Sequence, residues 1–375
     1  MSTRLQRLLS QLRSPILQAP MAGGPATPAL AAAVHCTGAF GQLAGGNLSA
    51  AALAAQLDDT RELLSSPAPP DGALPVEPLP VAPLPVGVNL FVPDPDTAEA
   101  AALEGYRAAL RPVADALGAE VPEVPAWSDD DFPAKVELLV SRPVAVVSFT
   151  FGLPAAEVVR RLQEVGSAVV ITVADRPGAL RAAQLRPDGL VVQGQQAGGH
   201  RSVLDMRDDP DPIDTADLLR TVRGALEGRR DGDDGDGGSA SLSLIGAGGV
   251  GTAEDVAALC DAGAQAVQVG TQFLTASEAG TRAPHREAVL DPARRETVVT
   301  RAFSGRPARG LRNRFIDQMD RHAVTGYPQV NQLTAPLRAA AAAAGDAEHL
   351  SLWAGTRTDA CREEPAADVV ARLTP

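Results

Sequence analysis

A histidine after a glycine-rich turn is the residue best placed for chemistry in this sequence. Residues 188–202 begin with the apolar run Leu190-Val191-Val192, which is typical of a buried parallel strand, and pass through glycines to His200. Ligands bind at the carboxyl ends of such strands in α/β proteins. Because the pKa of an unperturbed histidine lies near neutrality, His200 is a candidate general base. A glycine turn whose histidine only caps a loop has the same pattern.

Two further glycine turns predict a phosphate site. Gly246-Ala-Gly-Gly249 and Gly270-Thr271 end two consecutive candidate strands. The loops after the last two strands of a barrel commonly bind phosphate, because exposed N–H groups and a following helix N-terminus favour an anion. A dinucleotide site fits less well, since no acidic ribose partner lies at the expected distance. A phosphate-bearing flavin, with its ring over the barrel mouth, fits better.

Alternating strands and helices must position these residues. The alternation predicts an α/β protein with a parallel sheet, and the number of strands favours a closed (β/α)₈ TIM barrel. Asn47 or Ser49 is expected to cap the helix after the second strand, and Thr252 the helix after the seventh. The eight candidate strands lie within residues 15–21, 38–46, 85–92, 143–154, 168–174, 188–202, 243–250 and 266–274.

The domain prediction divides the chain into a barrel and two additions. Residues 1–274 form the barrel, 275–344 an appended, mainly helical region over its mouth, and 345–375 a C-terminal segment that returns to the barrel. A proline-rich insertion at 65–85 and an Asp/Gly-rich loop at 229–238 interrupt the barrel. The second resembles part of a calcium loop but lacks its closing glutamate, so no metal site is predicted.

The composition restricts the class of partner. With 33 Lys and Arg against 46 Asp and Glu, the net charge is −13, which argues against nucleic acid or an anionic membrane as a partner. No apolar run has the length of a membrane span. Three scattered cysteines are too few for a disulfide framework, which indicates a reducing cytoplasm. The oligomeric state is open, and a homodimer is one arrangement that the sequence allows.

Several short motifs, taken in order, carry a resemblance that spans nearly the whole chain. They include Gln18-Ala-Pro-Met21, Gly87-Val-Asn-Leu90, Val192-Gln-Gly-Gln-Gln-Ala-Gly-Gly-His200 and Phe303-Ser-Gly-Arg306. The sequence resembles the FMN-dependent nitronate monooxygenases, and the family's catalytic histidine corresponds to His200. The resemblance implies that FMN binds to Ala19, Pro20, Met21, Asn89, Gln193, Gly198, Gly199, Ala247, Gly248, Gly249, Gln268, Val269, Gly270 and Thr271.

The implied reaction is oxidation of an alkyl nitronate by FMN and O₂ to a carbonyl compound and nitrite. A protonated His200 would stabilise the bound anion, whereas a neutral His200 would take the α-proton of a neutral nitroalkane. Thr150 and Ser304 are candidate substrate hydrogen-bonders, with structural hydroxyls as the alternative. The remaining histidines have no comparable motif and are interpreted as ordinary surface or core residues; they are His35, His285, His322 and His349.

Three departures from the family pattern bear on this hypothesis. Gln196 stands where the family commonly has glutamate, Ser202 where it usually has glycine, and Thr150 where many members have histidine. The last difference predicts a change in substrate preference.

Other functions fit the same barrel and flavin. FMN-dependent enoyl-acyl-carrier-protein reductases and NAD(P)H:quinone reductases have related motifs, but both need a reduced nicotinamide, for which no separate fingerprint is present. An inosinate-dehydrogenase-like enzyme would need a nucleophilic cysteine near the sixth strand, where the sequence has none. A flavin-binding protein without catalysis is the alternative from a different class.

Overall fold

Eight parallel strands close into a barrel at the centre of the molecule. The structure, a computed structural model, describes residues 3–65, 83–230 and 242–375. Most of the predicted proline-rich insertion, and the Asp/Gly-rich loop from residue 231 onward, lie outside the described residues. The described strands are β1 (Ile16–Gln18), β2 (Gln42–Ala44), β3 (Leu84–Phe91), β4 (Val144–Thr150), β5 (Ala168–Val173), β6 (Gly189–Gln193), β7 (Gly199–His200), β8 (Ser243–Ala247), β9 (Ala266–Val269), β10 (Thr297–Thr300) and β11 (Ala308–Leu311).

The strand order confirms the predicted (β/α)₈ barrel. Neighbouring strands pair in the order β1-β9-β8-β6-β5-β4-β3-β2, and all of these pairs are parallel. The circle closes where Leu17 of β1 bridges Phe40, just before β2. There the N–H of Gln18 donates to the carbonyl of Phe40 at 2.9 Å.

Helices connect most of the barrel strands. Ser49 accepts the N–H of Ala52, and Thr252 accepts the N–H of Asp255, so both caps form as predicted, with Ser49 rather than Asn47 in the first. The described helices are α1 (Arg4–Gln11), α2 (Pro28–Cys36), α3 (Ala50–Ser65), α4 (Ala100–Leu117), α5 (Phe132–Ser141), α6 (Ala156–Glu164), α7 (Arg176–Ala183), α8 (Thr215–Arg230), α9 (Ala253–Asp261), α10 (Ala283–Leu290), α11 (Arg314–Met319), α12 (Gln329–Ala343) and α13 (Ala366–Leu373).

Alternate residues of the barrel strands face two cores. Val170 and Val191 pack inside the barrel, where Leu5 of α1 joins them. Ile171 and Val192, one position further along, pack in the core formed with the surrounding helices. Both faces of β5 and β6 are therefore apolar, which explains why these strands appear in the sequence as continuous Val- and Ile-rich runs. Among the described residues, no helix has the length and apolar composition needed to cross a membrane.

Two details differ from the predicted elements. The eighth candidate strand, predicted at 266–274, ends at Val269, and Thr271–Thr275 form a 3₁₀ helix. The region 275–344, predicted as mainly helical, contains α10, α11 and α12 but also β10 and β11. These two strands and β7 make a small antiparallel sheet in the order β10-β11-β7. Through the pairing of β7 with β11, the glycine turn after β6 is hydrogen-bonded to the appended region.

Candidate active site

One cavity of about 340 Å³ lies at the carboxyl ends of the barrel strands. Every residue that the resemblance assigned to FMN lines it, together with His200 and Thr150. The C-terminal segment also reaches this cavity, through Trp353 and Arg357 among others. Ser304, the second predicted substrate contact, does not line the cavity. The structure therefore brings together residues from the barrel, the appended region and the C-terminal segment.

His200 is held by its backbone and by one ring nitrogen. As part of β7 it pairs with Ala308 of β11, and its carbonyl accepts a hydrogen bond from Gln193 Nε2 at 2.9 Å. Its Nε2 lies 2.8 Å from Ser304 Oγ. Ser304 is buried and also bonds to the backbone of Arg306. The prediction that Ser304 contacts the substrate does not fit this placement, because the hydroxyl is engaged by the imidazole and the backbone.

Three aromatic rings surround the imidazole. The ring centres of Phe151, Trp353 and Tyr327 lie 5.2, 5.5 and 5.9 Å from that of His200. Burial, and then the charges of Arg306 and Arg338, lower the pKa of His200 to about 3. The imidazole is therefore neutral at pH 7, and one ring nitrogen keeps its lone pair.

Amide side chains form a polar layer at the barrel mouth. Gln42 Nε2 donates to Gln268 Oε1 at 3.1 Å and to the carbonyl of Gln18 at 2.9 Å. Asn89 Nδ2 bonds to Thr150 Oγ1 at 2.9 Å, so the Thr150 hydroxyl faces the cavity with one partner already fixed. A row of oriented amide donors and acceptors suits the polar edge of a planar heterocycle.

The two predicted glycine nests lie on the same cavity. Gly248 and Gly249 have φ values of +112° and +80°, and a Cβ at Gly248 would come within 2.7 Å of the Ala197 nitrogen. Within the described residues, the N–H groups of Gly248, Gly249 and Gly270 have no hydrogen-bond acceptor. These groups therefore remain available to an anion.

The helix after the first nest is less available than predicted. Asp255 accepts the N–H groups of Gly251 and Thr252, both at 2.9 Å, and so closes the start of α9. Its carboxylate also pairs with Arg357, which lines the cavity. The donors on this side of the cavity are therefore the glycine nests and Arg357, and not the N-terminus of α9.

Two of the departures from the family pattern have structural roles. Gln196 Oε1 accepts the N–H of Thr215 at 3.0 Å and its hydroxyl at 3.1 Å, at the first residue of α8. The Ser202 hydroxyl donates to the carbonyl of Thr172 at 2.9 Å and lies 3.4 Å from the nitrogen of Phe151. Both side chains hold neighbouring backbone in place around the cavity.

Sequence reasoning missed several cavity residues outside the barrel. His285, interpreted as an ordinary histidine, lines the cavity and bonds through Nε2 to the carbonyl of Trp353 at 3.2 Å. Burial lowers its pKa to about 4. Asn331, Ala335 and Arg338 of α12 also line the cavity. Their spacing of four and three residues, which places side chains on one helix face, was the available signal.

The chain is similar to known proteins over nearly its whole length. The family model described as "Nitronate monooxygenase" matches residues 6–70 and 79–375. A probable nitronate monooxygenase of Staphylococcus aureus (strain MSSA476) is 31% identical over 373 residues, covering 99% of this chain and 96% of the relative. The structure of a nitroalkane oxidase from Streptomyces ansochromogenes has a TM-score of 0.85 and 36% identity, covering 98% of this chain and 96% of that one. FabK from Thermotoga maritima, with a TM-score of 0.69, 24% identity and coverage of 100% and 95%, is similar in fold.

Proposed function

The chain belongs to the nitronate monooxygenase family and is an oxidoreductase of that family, and from this premise we propose that it oxidises alkyl nitronates with FMN and O₂. The products of this reaction are a carbonyl compound and nitrite. The observation that carries the proposal is an imidazole, His200, at a cavity that also contains two glycine nests whose N–H groups have no acceptor among the described residues.

The residues of the cavity fit FMN. The N–H groups of Gly248, Gly249 and Gly270, with Arg357 beside them, suit the phosphate. The amides of the barrel mouth suit the polar edge of the ring system; they are Asn89, Gln193 and Gln268. When bound, FMN would be the electron acceptor for the substrate and the group that reacts with O₂.

His200 acts on the proton of a neutral nitroalkane. A nitronate has already lost its α-proton, so only the neutral substrate needs a base. Nε2 is engaged by Ser304, whereas no described residue hydrogen-bonds to Nδ1. In the tautomer in which Nε2–H donates to Ser304, the lone pair of Nδ1 accepts the proton. The aromatic rings of Phe151, Tyr327 and Trp353 make the surroundings of the imidazole apolar.

Oxygen uptake by the flavin-loaded protein tests the reaction. We expect a bound chromophore that is identified as FMN, rapid O₂ consumption with ethyl nitronate, and nitrite as product. NADH, added separately without O₂, should leave the flavin oxidised. Rapid bleaching by NADH with no nitronate turnover would instead support a quinone or enoyl-thioester reductase, whose fold this barrel shares.

Substitution of the histidine tests its role as base. His200→Asn should lower turnover of neutral nitroethane by about 10²–10⁴-fold, the usual contribution of a positioned base, while FMN stays bound. Turnover of ethyl nitronate should change far less, because that substrate needs no proton removal. Unchanged nitroethane turnover would reject His200 as the base.

A further inference from the structure

Arg338 is a cation without a counter-charge at the edge of the candidate active site. Its Nη2 donates to the carbonyl and to the side-chain oxygen of Asn331, at 2.6 and 2.8 Å. Its Nε is buried and has no hydrogen-bond acceptor among the described residues. Within the same residues, no carboxylate forms a salt bridge with it.

The other arginine near the imidazole is compensated. Arg306 Nη2 lies 2.9 Å from Asp94 Oδ2, and its guanidinium lies over the ring of Phe151 at 4.1 Å. Arg306 does not line the cavity, whereas Arg338 does. Of the two cations that act on His200, only Arg338 can therefore meet a ligand directly.

Burial of an unpaired cation is unfavourable, and a protein usually offsets it with a partner. Burial lowers the pKa of Arg338 to about 10, so the guanidinium remains charged at pH 7. His200 is neutral there and adds no positive charge. Nη2 is engaged by Asn331 and Nε is buried, so Nη1, which has no acceptor among the described residues, is the guanidinium nitrogen left for an oxygen of an anion.

We propose that Arg338 binds a negatively charged oxygen of the nitronate, so that the cavity selects the anion over the neutral nitroalkane. This inference rests on the proposed function. The sequence analysis assigned both anion stabilisation and proton removal to His200. Under this proposal Arg338 compensates the charge of the substrate, and His200 accepts the proton. Arg338 is thus a substrate-binding residue and not a base.

Arg338→Gln removes the charge and keeps a side chain that can bond to Asn331. We expect KM for ethyl nitronate to rise at least tenfold with kcat changed less than threefold. KM for neutral nitroethane should change less than threefold while its kcat falls, because only the anion formed on deprotonation carries the charge that Arg338 binds. Arg338→Lys should recover part of the affinity, since it restores the charge but not a donor at the position of Nη1. Arg314→Gln, which removes an exposed arginine outside the cavity, is the matched control.

Anion binding provides a readout that does not depend on turnover. Nitrite, titrated into the flavin-loaded wild-type protein, should perturb the flavin absorbance, and Arg338→Gln should weaken its affinity at least tenfold. Because the ligand-free cation is uncompensated, Arg338→Gln should unfold at the same temperature as the wild type or higher. If Arg338 had only a structural role, Arg338→Gln would instead lower Tm and leave the affinity for nitrite unchanged.

The outcomes separate this inference from the proposed function. Nitrite binding that is absent in the wild type, or equal in wild type and Arg338→Gln, overturns the role of Arg338. A wild-type protein that binds nitrite through Arg338 but oxidises no nitronate overturns the proposed function and leaves an anion site. Equal KM values for nitronate in Arg338→Gln and Arg314→Gln also reject the inference.

Discussion

At the scale of single residues, Ser304 orients the imidazole of His200 through a hydrogen bond. Its hydroxyl lies 2.8 Å from Nε2 and is fixed in turn by the backbone of Arg306. Ser304→Ala should lower nitroethane turnover about tenfold, the value of one net hydrogen bond. Oxygen uptake with nitroethane and with ethyl nitronate measures this, and the nitronate is the internal control. An equal loss with both substrates would show that Ser304 supports the whole site rather than the base.

Two neutral imidazoles make stability depend on pH. The pKa values of His200 and His285 are about 3 and about 4, against an ordinary 6.5, because burial disfavours their charged forms. Below pH 6.5 the unfolded chain takes up protons that the folded protein does not, so stability is complete above pH 6.5 and falls on acidification. Each imidazole should cost about 2 kcal/mol between pH 7 and pH 5.

Urea unfolding at pH 7 and pH 5 measures this dependence. His200→Asn should show a smaller loss of unfolding free energy over that interval than the wild type. His322→Asn, at an exposed position, is the control variant. An equal acid loss in wild type and His200→Asn would mean that His200 titrates normally in the folded protein.

The cavity-lining residues of α12 could not be predicted from the sequence. His200 follows a buried strand and a glycine turn, and both signals are local. Asn331, Ala335 and Arg338 share one helix face, but an isolated sequence does not say which face meets a cavity. That face is set by the packing of α12 against α4, a contact between distant parts of the chain.

At the scale of elements, Gln196 joins the glycine turn to the start of α8. Its Oε1 accepts both donors of Thr215 and satisfies the first turn of the helix. Glutamate, the residue common in the family, offers the same acceptor and a favourable charge for the helix dipole. We therefore expect Gln196→Glu to change the free energy of unfolding by less than about 1 kcal/mol, and Gln196→Leu to lower it by about 1–2 kcal/mol. Thermal unfolding of both variants checks this, and equal losses would contradict the capping role.

The small antiparallel sheet explains the main error in the predicted elements. The barrel strands carry long Val- and Ile-rich runs, which are visible without tertiary information. By contrast, β7 has two residues, and β11 reads Ala-Arg-Gly-Leu, with no apolar alternation. These segments become strands because they pair with one another across about a hundred residues of sequence, as in Ala308 with His200.

At the scale of the whole molecule, the candidate active site includes residues on both sides of the predicted domain boundary at residue 274. The Gly355 N–H donates to Thr271 Oγ1 at 2.9 Å, and Gln272 Nε2 donates to the carbonyl of Arg357 at 2.7 Å. The C-terminal segment thus bonds directly to the second glycine nest. A cofactor in this cavity would contact parts of the chain that lie far apart in sequence, and its binding should stabilise the fold as a unit.

FMN should therefore stabilise the folded protein by about 2.7 kcal/mol at a concentration 100-fold above its Kd, and so raise the unfolding temperature.

Gly270→Ala tests the second glycine nest. A Cβ at Gly270 meets only Ala19 at 3.4 Å and Met21 at 3.9 Å, so the protein should fold, but the methyl group occupies the cavity. We expect at least tenfold weaker FMN binding and a smaller thermal shift. Gly105→Ala, in α4 with nothing within 4 Å, is the control and should keep the full shift. An undiminished shift in Gly270→Ala would place the phosphate away from the second nest.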